Sequence, residues 1–377
     1  MQKVTLVLPV LPHYRIDLLT LLSSEYEKKG IKLTVITGTN AGKKSVKEVK
    51  AEGFELIHNE TVGLTIAKFE IQWQKKLISS VMRTSPDKVI ILYHAGKINY
   101  NLLLLKLQRR RIPYVLWGSG SGDRRTDLSP VQRYVKAWFK STFIEKSHTY
   151  LTYGTMFKEQ LIKQGYPKER IYVAQNTINV EGIYNQAEAK QLRSAGVPLK
   201  FLFVGVIFNN KRLDTAIEAF RILAEKGYDF RFDVVGNGEI ISTLQQMVDE
   251  YGLSDKIIFH GPKYGDEVKA FFQGADVFLL PGTGGLAVNE AMAHGLPVIT
   301  TPGDGTAYDL IENKVNGFIL DFDYKVEDLE KCLSFFAEQS PESILEMGTK
   351  SREIIKSKAS LANMVNQIVK SSKHIVS

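Results

Sequence analysis

The residues best suited to chemistry are few. They are Lys211 and Arg212, a glycine-rich stretch with Gly282, Gly284 and Gly285, Glu290 behind it, and the histidines His13 and His94. The glycines lie between a buried strand, Ala275–Leu280, and a helix expected from Leu286 to His294. Glycines at such a turn let backbone N–H groups approach a ligand closely. The helix start supplies partial positive charge and unpaired donors, which suit an anion such as phosphate. Glu290 falls one turn into the helix, within reach of a sugar diol. An ordinary strand–loop–helix turn has the same composition, so spacing alone leaves both readings open. Lys211 and Arg212 stand at another helix start, where cations oppose the macrodipole. That local conflict favours a function for them over plain surface charge. His13 follows the first strand and His94 the third long one. Both positions suit ligand-facing loops, and both also suit a structural or capping histidine.

The elements that must position these residues read as α/β. With 377 residues the expectation is two domains. Strands are expected at Lys3–Pro9, Lys32–Thr37, Lys88–Tyr93, Pro113–Trp117, Thr149–Thr152 and Ile171–Ala174, and helices at Ile16–Lys29, Gln72–Arg83, Asn99–Arg110, Pro130–Lys146 and Thr155–Gln164. Strands recur in the second half at Lys200–Gly205, Arg231–Val235 and Lys256–Phe259, and amphipathic helices close the chain at Glu342–Lys356 and Ser360–Ser372. Such alternation gives parallel sheets covered on both faces, with ligands at the carboxyl ends of the strands. No GxGxxG fingerprint follows the first strand, which argues against a nicotinamide dehydrogenase. The domain boundary is placed at 180/181, with a polar, linker-like hinge at about 180–198.

Composition narrows the classes. The net charge is +8, with basic residues concentrated before residue 180 and acidic ones after it. A basic half suits phosphates of nucleic acid, lipid head groups or a pyrophosphate-linked substrate. Nucleic-acid binding would leave the second half unexplained. Cys332 is the only cysteine, so no intrachain disulfide and no cysteine metal cluster is expected. No apolar run reaches membrane-spanning length and no signal-peptide pattern opens the chain, so cytoplasm is the expected compartment. Val131, Tyr134, Val135, Trp138, Phe139 and Phe143 share one helical face beside Arg133, Lys136, Lys140 and Lys146. That face suits either packing on a sheet or, with Arg109–Arg111, peripheral contact with the inner face of an anionic membrane.

The string GGLAVNEAMAHGLPVI resembles the signature helix of the family 4 retaining glycosyltransferases of GT-B fold. In that family one Glu precedes the glycines and a second follows after seven residues. Glu290 matches the second, a ribose ligand, while Gly282 stands where the first, a ligand of the transferred sugar, is usual. Donor-sugar recognition then falls to backbone N–H groups of Gly284, Gly285 and Leu286, to Thr283, or to His13 and His94, and an acidic or acetamido sugar is expected. The family's diphosphate grip is an Arg and a Lys after the first strand of the second domain. Lys211 matches the Lys, Val206 replaces the Arg, and Arg212 replaces the Gly that follows the Lys and is the expected substitute cation. Gly236-Asn237-Gly238, Asn176 in YVAQNTIN, and the PHYR string at His13 are similar to further family elements. Ser119 stands where relatives often have a histidine.

The resemblance implies two Rossmann-like domains facing a cleft, residues 1–180 holding the acceptor and 181–377 the nucleotide-sugar, with the final helix crossing back to the first domain. It implies a UDP- or GDP-linked sugar donor, a glycan or lipid-linked acceptor as in polysaccharide biosynthesis, retention of anomeric configuration, and no metal or other cofactor. His13, His94 and Lys211 are the expected catalytic side chains. Lys211, Arg212, Gly284, Gly285, Leu286 and Glu290 are the expected donor-binding positions. The alternatives are an inactive relative that binds a sugar nucleotide or glycan as a partner subunit, and a nucleotide-sugar epimerase.

Overall fold

The structure is a computed structural model. It describes residues 1–39, 53–66, 69–93, 97–118, 138, 140–186, 190, 192–194 and 196–373. The chain forms two compact units: Met1–Gln175 with Leu361–Ser377, and Asn176–Ser360.

The first unit carries β1 (Gln2–Leu8), β2 (Ile31–Gly38), β3 (Glu55–Asn59), β4 (Thr61–Ile66), β5 (Phe69–Gln74), β6 (Lys88–Leu92), β7 (Tyr114–Gly118), β8 (Thr149–Thr152) and β9 (Ile171–Val173). Among the described residues its main sheet is parallel, in the order β3-β2-β1-β6-β7-β8-β9. Leu6 pairs with Val35 on one side and Ile90 on the other, and all three are fully buried. Near-continuous apolar strands follow from burial of both sheet faces. Helices α1 (Ile16–Glu27), α2 (Leu77–Arg83), α3 (Ile98–Arg109) and α4 (Thr155–Lys163) supply part of that cover. The last helix, Leu361–Lys373, completes it. Met364, Val365 and Ile368 enter the core beside Leu18, Leu22 and Tyr26, and Tyr26 donates to Ser372 Oγ at 3.1 Å.

One expectation needs correcting here. The helix expected from Gln72 begins at Leu77, because Phe69–Gln74 is β5, paired antiparallel with β4. Phe69, Ile71 and Trp73 alternate with polar residues, and period two belongs to a strand. The Pro130–Lys146 helix falls largely outside the described residues. Its described end is a short π-helical turn, Lys140–Ile144, in which Phe143 is buried while Trp138 stays 48% exposed.

The second unit has β10 (Leu199–Val204), β11 (Phe230–Val235), β12 (Ile257–Phe259), β13 (Val277–Leu280), β14 (Val298–Thr300) and β15 (Gly317–Ile319), all parallel, in the order β12-β11-β10-β13-β14-β15. Its helices are α5 (Val180–Gln186), α6 (Leu213–Glu225), α7 (Ile241–Glu250), α8 (Asp266–Gly274), α9 (Leu286–Ala293), α10 (Ala307–Leu310), α11 (Val326–Ala337) and α12 (Pro341–Lys358). Phe220 on α6 stacks on Phe230 and Phe232 at 4.8 and 4.7 Å and meets Phe201 edge-on at 5.2 Å. Burying each ring contributes on the order of 2–3 kcal/mol. The unit starts at Asn176, ahead of residue 180. Thr177 donates to the Ala359 carbonyl, and Val180 is buried in this unit's core.

Strand order reverses between β1 and β6 in one unit and between β10 and β13 in the other. Ligands of open parallel sheets bind outside the carboxyl ends of strands at such a switch point. The loop after β1 carries His13. The loops after β10 and β13 carry Lys211 and Gly282–Gly285. Topology alone thus brings the residues with chemistry to one edge of each sheet.

Candidate functional site

Two loops of the second unit are locked together. Thr283 N–H donates to the Asn210 carbonyl at 2.9 Å, its hydroxyl reaches the same oxygen at 3.3 Å, and the Lys211 ammonium donates back to the Thr283 carbonyl. Thr301 Oγ1 donates to the Gly282 carbonyl at 2.7 Å from the loop after β14. Gly282 lies where these backbones nearly touch. A Cβ there would stand 2.1 Å from Asn210 O and 2.5 Å from Lys211 Cα. Its φ is not positive, so the glycine is required by space and not by a left-handed backbone. A side chain at this position would force the two backbones apart.

Behind this junction, α9 starts at Gly285, with no side chain capping its first turn. Its end is a Schellman turn. Leu296 N–H returns to the Ala291 carbonyl and Gly295 N–H to Met292, with Gly295 at φ +76°. The helix is pinned inward by Asn289, fully buried, which donates to the Asn176 carbonyl at 2.9 Å. Asn176 in turn donates to Asp304 at 3.0 Å. This rigid seat holds Glu290 part-buried one turn into α9, and burial raises its carboxyl above the usual range. Burial also lowers Lys211 below the usual lysine range. In both cases burial works against the charged form, and a bound partner of matching chemistry would favour it.

Arg212 is placed differently from its neighbour. Its guanidinium lies 3.7 Å from the centre of the Tyr324 ring and donates to the carbonyls of Phe322 at 3.3 Å and Tyr324 at 3.0 Å. Its backbone is left-handed, at φ +54°, where α6 begins. Val206, at the mouth of the same loop, is 53% exposed and Phe208 40%. Sequence reasoning missed Tyr324, the buried aromatic in an otherwise exposed Asp321-Phe322-Asp323 run. Its only signal was an Asp-Phe-Asp-Tyr string, which does not say which of the two aromatics is buried. Asp321 and Asp323 also have the alternate spacing of a metal-binding pair. Among the described residues no group of three or more metal-ligating side chains assembles.

In the first unit, His13 is exposed in a short 3₁₀ turn, His13–Arg15, after β1. Arg15 is buried at the ends of β7 and β8. It lies 4.6 Å from the Trp117 ring centre and donates to the Tyr153 hydroxyl at 3.0 Å. The turn is thereby fixed on the sheet edge. His94 and Ser119 lie outside the described residues. Gly284, Gly285 and Leu286 lie together at the start of α9, beside the Lys211 loop.

Comparison with known proteins bears on this geometry. Residues 185–359, the part holding the β10 and β13 loops, match the family described as "Glycosyl transferases group 1". The amylovoran biosynthesis glycosyltransferase AmsK of Erwinia amylovora is 32% identical over 269 residues, 67% of this chain and 63% of that protein. The 2-deoxystreptamine glucosyltransferase of Streptomyces kanamyceticus is 41% identical over 100 residues, 26% of each chain. The chain spans less than two thirds of the length of the first curated relatives it matches. Among solved structures, HepE of Anabaena in complex with UDP superposes with a TM-score of 0.72, at 14% identity and covering all of both chains. The lipopolysaccharide outer core galactosyltransferase WaaB superposes with a TM-score of 0.69, at 15% identity over 98% of this chain and 99% of that one. With two parallel-sheet α/β units, each reversing its strand order beneath the loops described, this chain has the GT-B fold of glycosyltransferases.

Proposed function

We propose that this chain is a glycosyltransferase that moves a sugar from a nucleotide-diphosphate sugar to a glycan or lipid-linked acceptor, in the manner of the family 4 retaining enzymes. The observation that carries the reading is the junction of the β10 and β13 loops. It presents one cation and a row of helix-start N–H groups at a topological switch point, inside the segment that matches the glycosyltransferase family. A diphosphate leaving group gathers negative charge as the glycosidic bond breaks. Fixed positive groups that need no reorganisation stabilise that charge. Lys211 and the N–H groups of Gly284, Gly285 and Leu286 take this role, and Glu290 accepts from the ribose hydroxyls. His13, and His94 on the neighbouring strand's loop, belong to the unit that receives the acceptor. A metal ion is not required in this scheme, because the cation and the helix start supply the charge. The solved complexes of HepE with UDP and with UDP-glucose support a nucleotide-sugar as donor. The polysaccharide systems named for the relatives support a glycan acceptor.

The test is calorimetric titration of UDP and GDP, followed by transfer assays with UDP- and GDP-sugars and product analysis for anomeric configuration. Binding with neither transfer nor donor hydrolysis would replace this reading by that of a non-catalytic partner subunit. Consumption of donor without acceptor, giving an epimer, would replace it by an epimerase. If neither nucleotide binds, the donor-site assignment fails.

A further inference from the structure

None of the motifs gives Tyr324 a task, yet it ties three loops together. It is 4% exposed, the buried member of a loop whose preceding three residues face solvent. Its hydroxyl donates to the Pro281 carbonyl at 2.9 Å, at the root of the β13 loop. Its ring face carries the Arg212 guanidinium at 3.7 Å, and its own carbonyl accepts from Arg212 at 3.0 Å. Arg212 adds a second bond to the Phe322 carbonyl. One aromatic residue thus connects the loops after β10, β13 and β15.

We infer that Arg212 and Tyr324 form a brace that sets the Lys211 loop against the Pro281–Gly285 loop, and that Arg212 is a positioning residue for the donor site and not a ligand of the diphosphate. The inference rests on the donor-site reading of Lys211 given above. Its physical basis is the occupancy of the guanidinium. A planar cation stacked on a ring and donating in its plane to two carbonyls has its fork directed at those carbonyls. Lysine, with a compact ammonium on a flexible stem, reproduces the charge but not the stack with two in-plane bonds. The left-handed backbone at Arg212 is sterically disfavoured for any side chain, and the contacts of the brace offset it. Lys211, the residue before it in the chain, has its ammonium on Thr283 O, and Thr283 lies two residues beyond Pro281. Loosening the brace therefore acts on Lys211 and on the start of α9 together.

The experiment titrates UDP and GDP into wild type, Arg212→Lys, Arg212→Gln, Tyr324→Phe, Lys211→Ala and the Lys211→Ala/Arg212→Gln double variant, with thermal midpoints recorded for each. The expected result is that Arg212→Lys and Arg212→Gln weaken nucleotide binding by the same factor, roughly five- to thirtyfold, the loss from a part-buried cation–π contact with its hydrogen bonds. Tyr324→Phe, which keeps the ring and removes only the bond to Pro281, weakens it less. On the Lys211→Ala background Arg212→Gln adds little, because both act through one contact. Retention of wild-type affinity by Arg212→Lys, with loss only in Arg212→Gln, would show a direct phosphate contact and overturn the inference. So would full additivity with Lys211→Ala. If wild type binds neither nucleotide, the donor-site reading has failed instead. The brace is then read from an Arg212→Gln/Tyr324→Leu cycle in denaturant unfolding, in which each change removes the ring–guanidinium contact and zero coupling refutes it.

Discussion

Replacing Gly282 by alanine is expected to destabilise the second unit and loosen its donor site together. The added Cβ would lie 2.1 Å from the Asn210 carbonyl oxygen and 2.5 Å from both Cα and the carbonyl carbon of Lys211. All three are backbone atoms, so no side chain can swing away, and the β10 and β13 loops must part. Overpacking of this kind costs about 1–3 kcal/mol. Parting also stretches the two Thr283 bonds to Asn210 O and the Lys211 bond to Thr283 O, each contributing about 0.5–1.5 kcal/mol. With the bonds stretched and only partly lost, a net cost of about 2–4 kcal/mol corresponds to a fall in thermal midpoint of about 5–15 °C for a unit of this size. UDP and GDP affinity should fall with it, since Lys211 loses its anchor. Gly282→Glu, which restores the residue usual in the resembling family, should be worse and not better, because it adds a charge with no room for its stem. Thermal melts and calorimetry on the alanine and glutamate variants decide the matter. An alanine variant that melts and binds like wild type would show that the loops separate freely and that the close approach means nothing. A gain in transfer by Gly282→Glu would show that the site is a weakened form of the ordinary one.

The other expectations are separate from this junction. Glu290→Ala should weaken nucleotide binding by about 1–3 kcal/mol, the usual loss when a polar partner is removed; equal affinity in calorimetry would remove Glu290 from the site. Because burial raises Glu290, its proton must leave before the carboxylate can accept from a ribose diol. Affinity should therefore rise with pH above the ordinary glutamate range, and this component should vanish in Glu290→Gln. His294 is 6% exposed, stacked on Phe272 at 5.0 Å, and held by burial at about 4. A depressed histidine favours the folded state above the unfolded value of about 6.5, and this contribution drains away as pH falls from there towards 4. Melts between pH 7 and 4.5 should show that acid sensitivity reduced in His294→Leu. Attachment to anionic vesicles through Arg109–Arg111, which are exposed at the end of α3, should weaken with added salt. Co-sedimentation indifferent to salt and lipid charge would count against it.

Sequence alone determined the alternation of strands and helices, a helix start at Lys211-Arg212 and another at Leu286, and which residues are candidates for chemistry. These are local matters. A buried parallel strand must be an apolar run, and a strand-to-helix turn needs small residues. Period and punctuation therefore show them directly. Strand β5 was legible too, from its period of two, but an adjoining helical pattern masked it. Tertiary structure decided the rest. The order of strands, which brings Lys211 onto Thr283, is a property of sheet pairing between segments some 70 residues apart. The reason for Gly282 is a collision with backbone on another loop, invisible to any reading of the turn itself. Arg212 and Lys211 are neighbours in sequence and alike in charge. Only the position of Tyr324, more than a hundred residues on, sends one to a carbonyl pair and an aromatic face, and the other to the edge of the proposed donor site.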